Sequence, residues 1–132
     1  MSLNEIDYAI YSILSTDTTI ASYLSDVTKQ IKYGDDQTFT KLPRIVYEKI
    51  SDPNLWRKPE RWQRWRFYIT HPDLVKCENI QDRVVTLFTN GVGTAGTVDI
   101  MNANVIDRGR TPLWYENISA YKTYIDVRIT YL

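Results

Sequence analysis

Few residues in this sequence are of types that do chemistry. His71 is the only histidine and Cys77 the only cysteine. A multi-histidine metal site is therefore excluded, and no intrachain disulfide can form. The two are six residues apart, nearly two helical turns, so a nucleophile–base contact is not expected. Cys77 falls on an apolar helical stripe and reads as a buried structural thiol, because reactivity needs an exposed, electropositive setting. His71, just before Pro72, reads as a cap or surface residue. The glycines of Gly91-Val92-Gly93-Thr94-Ala95-Gly96 follow a helix rather than a strand, so they form a flexible connection and not a phosphate cradle. Asp35, Asp36 and Glu48 are carboxylates without a fixed partner, and no calcium-loop spacing is present.

One constellation stands out. Residues 55–66 read Leu-Trp-Arg-Lys-Pro-Glu-Arg-Trp-Gln-Arg-Trp-Arg. Arg57, Lys58, Arg61, Arg64 and Arg66 interleave with Trp56, Trp62 and Trp65. Bases stack on Trp and phosphates pair with Arg, so this composition suits a small single-strand nucleic-acid-binding module. Trp and Arg are equally the residues of protein–protein hot spots. A β-hairpin arm with solvated arginines is the plainest reading. The protein interface is favoured, because the chain as a whole is neutral and Trp65 enters a strand on its core side.

These residues need elements to hold them. Ile6, Ile10, Ile13 and Leu14 recur at helical steps, with Asn4 as N-cap. A shorter helix containing Ile20, Ala21, Tyr23 and Leu24 follows a cap at Thr16 or Asp17. Gln30–Tyr33 reads as a short strand ended by Gly34, and 35–42 as a loop. Pro43 opens a strand through Ile50, and 51–54 has turn chemistry. In the next strand Trp65, Phe67 and Ile69 take one face and Arg64, Arg66, Tyr68 and Thr70 the other. Thr70-His71-Pro72-Asp73 starts a helix over 72–89, striped by Leu74, Cys77, Ile80, Val84, Leu87 and Phe88. Thr97–Asp107 is a moderately apolar strand and 108–118 a loop. Residues 121–131 alternate cleanly between one buried and one wetter face. The order is α-α-β-β-β-α-β-β. It predicts a single α+β domain over 1–132 with a mainly antiparallel sheet of about four or five strands and helices on one face.

Composition fits. Of 132 residues, 43% are hydrophobic and 24% charged, which suits a folded chain rather than a disordered one. Sixteen basic and sixteen acidic side chains cancel, so there is no global pull toward nucleic acid or an anionic membrane. Ten Tyr, four Trp and three Phe are too many rings for one small core, so some are expected at partner surfaces. No apolar run is long enough to span a bilayer, and Met1–Glu5 lacks signal-peptide character, so a cytosolic product is expected. A small enzyme is the least supported class.

The element order resembles the tail-completion proteins of long-tailed phages, also called tail-to-head joining or tail-terminator proteins. The resembling segments are Ile6–Leu14, Ile20–Leu24, Ile31–Gly34, Leu42-Pro43-Arg44-Ile45-Val46-Tyr47-Glu48-Lys49-Ile50-Ser51-Asp52, Trp65–Thr70 and Tyr124–Tyr131. The resemblance spans nearly the whole chain in element order. It departs at 53–64, where the Trp/Arg content is heavier than in the family. It implies a non-enzymatic virion protein of the phage tail or neck, made in the host cytoplasm, with no catalytic residues, cofactor or metal. It implies a ring of identical subunits, commonly a hexamer, that caps the tail-tube protein and docks onto the head connector, the genome passing through the lumen without specific binding. Its contact loops would be 35–42, 54–64 and 108–118. The interface residues expected are Trp56, Arg57, Trp62, Arg64, Arg66, Arg110, Trp114 and Tyr115.

Overall fold

A computed structural model of the chain describes residues 3–34, 43–52, 61–89, 93–95, 98–111 and 120–131. Its helices are α1 (Leu3–Thr16), α2 (Thr18–Tyr23), the one-turn α3 (Val27–Gln30) and α4 (Leu74–Leu87). Its strands are β1 (Ile31–Tyr33), β2 (Arg44–Ser51), β3 (Arg61–His71), β4 (Gly93–Ala95), β5 (Val98–Thr111) and β6 (Tyr121–Tyr131). The class is α+β. The expected order holds, with α3 and the three-residue β4 added to it.

The strands form one sheet in the order β1-β2-β3-β6-β5-β4. Every neighbouring pair is antiparallel except β1 with β2. The long central strands β3 and β6 pair over their whole length, from Arg61↔Tyr131 to His71↔Tyr121. Because side chains alternate along a strand, this register sorts every residue to one of two faces. Ile45, Tyr47, Trp65, Phe67, Ile69, Ile125, Val127 and Ile129 all point the same way and are buried. α4 lies across β3 and β6 on that side, and α1 packs against β1, β4 and β5. Cys77, Ile80, Val84 and Phe88 of the α4 stripe close the core with Ile6, Ile10 and Leu14 of α1. Phe67 meets Phe88 at 4.9 Å between centroids.

The helix boundaries follow their caps. Asp17 caps α2, accepting from the Ile20 N–H at 2.9 Å. It also takes a two-pronged grip from Arg83 of α4, which ties the short helix to the long one. Asp73 caps α4, accepting from Val75 and Lys76. Pro72 therefore sits before the cap, outside the first turn. Asn4 lies inside α1, which begins at Leu3, and not at its N-cap position. Gln30 belongs to α3 rather than to β1, and its Oε1 accepts from the backbone N–H groups of Ser25 and Asp26.

Two further expectations are corrected. Arg108, Gly109 and Arg110 are not in a loop, because β5 runs on to Thr111. They are held there from the helix side. Arg108 reaches Gln81 and Asp82, Arg110 reaches Glu78, and the Gln81 amide donates to the carbonyls of both Gly109 and Tyr124. Gly93–Ala95 pairs with Val98–Ile100 as a strand rather than running as a flexible connection.

Candidate functional site

The face of the sheet opposite the helices carries a two-row ladder of cations and rings. On β3 the outward row is Trp62, Arg64, Arg66, Tyr68 and Thr70. Facing it on β6, in register, are Thr130, Arg128, Asp126, Tyr124 and Lys122. The contacts run along one diagonal, as strand twist favours. The Arg128 guanidinium lies 4.3 Å from the centre of the Trp62 ring. Arg64 reaches Asp126 at 2.5 Å. Arg66 lies 5.6 Å from the Tyr124 ring, and the Lys122 ammonium 4.8 Å from that of Tyr68. From Trp62 to Tyr68, each β3 residue of the row thus meets the β6 residue two places before its direct partner, and unlike chemistry meets at every step.

Asp126 is the hub. It is fully buried on the nominally wet face. Arg66 clamps both its oxygens, Nε to Oδ1 at 2.6 Å and a terminal N–H to Oδ2 at 2.9 Å, and Arg64 shares Oδ2. The Arg66 hydrogen bonds hold the Asp126 carboxyl below the usual carboxylate range. The same bond raises Arg66 further above an ordinary guanidinium.

Tyr124 completes the next rung. Its ring lies over Gly109 of β5, where an added Cβ would stand 2.8 Å from ring Cε1. Only glycine leaves that space. Its hydroxyl donates to Asp107 at 3.1 Å, a bond that pushes the phenol upward.

Of the residues expected at an interface, Trp62, Arg64 and Arg66 are brought together on this face. Arg110 is not: it lies on the helix side of β5, 2.9 Å from Glu78. Trp56, Arg57, Trp114 and Tyr115 lie outside the described residues, as do 35–42, 54–60 and 112–118 of the expected contact loops, while 61–64 are strand and not loop. Sequence reasoning missed Asp126, Tyr68, Lys122, Tyr124 and Arg128 as site members. A signal was available for all but Asp126, since basic and aromatic residues cluster at even positions of both strands.

The two classical reactive side chains sit elsewhere. Cys77 is buried against Ile69 O, Tyr121 O and Thr123 Oγ1, and burial pushes its thiol up. His71 ends β3 and is buried rather than on the surface; its Nδ1 accepts the Asp73 N–H at 2.8 Å. Burial lowers its pKa, so it is neutral at physiological pH. Of the other buried polar groups, Gln30 keeps its Nε2 without a partner among the described residues, whereas Gln63 is satisfied. Gln63 donates to Asp52 and Tyr131 and accepts from the Trp65 indole. Among the described residues there is no group of three or more His, Cys, Asp or Glu able to hold a metal, and no helix long and apolar enough to cross a membrane.

No family model and no curated protein matches the chain. Among solved structures, 15 chains match its fold. One superposes with a TM-score of 0.60 over 100% of this chain and 96% of its own length, at 13% identity. Its name carries no functional word. Identity this low speaks for a shared fold alone.

Proposed function

We propose that the chain is a structural ring subunit of a phage tail, a tail terminator or tail-to-head joining protein that caps the tail tube and docks to the head connector. The observation that carries this reading is the face of the sheet opposite the described helices, where Arg and aromatic side chains are pre-ordered by their neighbours. Arg, Trp and Tyr held in one rotamer are what a protein interface uses, because little entropy remains to be lost on contact. The resemblance in element order supplies the assembly. The buried thiol and the neutral, backbone-bonded imidazole suit a structural role rather than a catalytic one.

Nucleic acid is the competing partner for an Arg/Trp surface. The geometry favours protein, since the rings that would stack on bases already bear cations. Arg128 covers Trp62, Lys122 covers Tyr68, and Tyr124 is enclosed between Arg66 and Gly109.

The test is electron microscopy of particles assembled with and without the gene. Without the chain, tails are expected to be of irregular length or unattached to heads, and supplying it should restore joined particles. Tails of normal length joined to heads in its absence would overturn the reading.

A further inference from the structure

Residues 1–28 contain Glu5, Asp7, Asp17 and Asp26 and no lysine or arginine. The outer sheet face has the opposite bias. Arg44, Arg64, Arg66, Lys122 and Arg128 stand on it against Glu48, Asp107 and Asp126. The two biases are opposite in sign, though the neutrality of the chain involves its other charges as well. They cannot meet within one molecule, because α1 and α2 pack on the far side of the sheet. The Asp17–Arg83 pair is settled between helices and draws nothing from the outer face.

The described outer face carries more cations than anions. Arg64 and Arg128 are direct cross-strand partners, an arrangement that repels unless a carboxylate comes between. Asp126 answers Arg64 and Arg66 only. Among the described residues Arg128 has an indole beneath it and no carboxylate, and it is exposed. Among the described residues the buried Nε of Arg64 likewise has no acceptor. A guanidinium seated over a ring keeps its forked N–H donors, with which arginine can grip a carboxylate by two bonds. On the other side of the molecule, Tyr8 of α1 is 63% exposed; Asp7 beside it is bonded to Tyr47 and Asp17 to Arg83, which leaves Glu5 and Asp26 as the segment's other acids. An acidic helix carrying an outward tyrosine complements a face of arginines and rings.

We propose that the outer sheet face receives the acidic N-terminal helical segment of a second copy of this chain, the copies meeting head to tail. Two different patches on opposite sides make a heterologous contact, which closes into a ring when the rotation per subunit allows. The inference rests on the ring-subunit reading and names the contact that would build the ring.

The experiment uses the full chain in sedimentation velocity at low and high salt, with two variants. Arg128→Glu spoils the sheet face and leaves the acidic segment intact. Glu5→Lys combined with Asp26→Lys does the reverse. The natural chain should self-associate, more weakly as salt rises. Each variant alone should associate about tenfold or more weakly. Their equimolar mixture should give a one-to-one dimer that grows no further, since only one intact pair of patches remains.

A natural chain that stays monomeric, variants that associate as it does, or a mixture that remains monomeric would each overturn the proposal. So would tight binding of a single-stranded oligonucleotide that Arg128→Glu abolishes, which would assign the face to nucleic acid. Should Arg128→Glu lose its cooperative melt, Arg128→Gln gives the same reading with a smaller loss. Rings that persist in Arg128→Glu remove this contact and leave the ring reading standing. Normal tails in particles lacking the chain remove the ring reading and leave a head-to-tail dimer in solution untouched.

Discussion

The two faces of the β3–β6 pair are built from the same two stretches of chain by different physics. On the helix side, Trp65, Phe67, Ile69, Ile125, Val127 and Ile129 are held by removal from water, which has no direction and tolerates many partners. On the outer side, Trp62, Arg64, Arg66, Tyr68, Lys122, Tyr124, Asp126 and Arg128 are held by pairwise contacts that demand a fixed register. The first face supplies stability. The second supplies little stability but orders its side chains before any partner arrives. A face with both roles would be expected to collapse inward or to lose its definition.

Three substitutions test this division, in falling order of effect. Trp65→Ala removes the largest fully buried side chain and should cost about 3–5 kcal/mol in urea denaturation. A cost below about 1 kcal/mol would mean that the helix side is not the source of stability.

Asp126→Ala leaves two arginines around an empty centre. A fully buried pair broken in this way costs about 3–5 kcal/mol, but solvent beside the half-exposed guanidiniums screens this one, so about 2 kcal/mol is expected. The pH dependence has a definite sign. Arg66 holds the folded-state carboxyl of Asp126 below its unfolded value of 3.8. Its contribution is complete above that value and is lost as pH falls through the lower folded one. Asp17, lowered by the Arg83 hydrogen bond, behaves alike. In acid titrations followed by circular dichroism, the Asp126→Ala chain should therefore lose less stability on acidification than the natural chain. Parallel acid curves for the two would show that the clamp contributes nothing.

The smallest effect is at the rim. A double-mutant cycle of Trp62→Ala and Arg128→Ala should give a coupling of about 0.5–1 kcal/mol, the range for an exposed cation over an indole. Zero coupling would mean that Arg128 is not pre-ordered.

Much of the helix side was legible from periodicity. The buried row Thr123, Ile125, Val127, Ile129 and Tyr131 and the stripe over Leu74–Phe88 appear in the structure where the pattern put them, with Tyr121 exposed at the strand's start, because burial imposes its period on the sequence itself. The outer face was only half legible. Asp126 sits at a position that reads as wet, and nothing local reveals that Arg64 and Arg66, about sixty positions away, cover it. Arg108, Gly109 and Arg110 carry loop composition. They are strand because Asp82 and Glu78 on α4 hold the arginines and the Tyr124 ring occupies the space above Gly109. His71 reads as surface because one residue cannot show that the end of its strand is covered. Each miss is a long-range pairing invisible to a window of a dozen residues.

The central register has a consequence for how the chain is made. Arg61 pairs with Tyr131, and every rung of β3–β6 joins residues roughly fifty to seventy positions apart. On a translating ribosome, β3 emerges long before β6, so for that interval its core-side tryptophan and phenylalanine lack the strand that should lie beside them. Closing so large a loop is slow, on the order of milliseconds to seconds for sheets dominated by distant pairings. During that delay the arginines at 64 and 66, as yet without their carboxylate, repel identical nascent strands and so guard the waiting edge against mispairing.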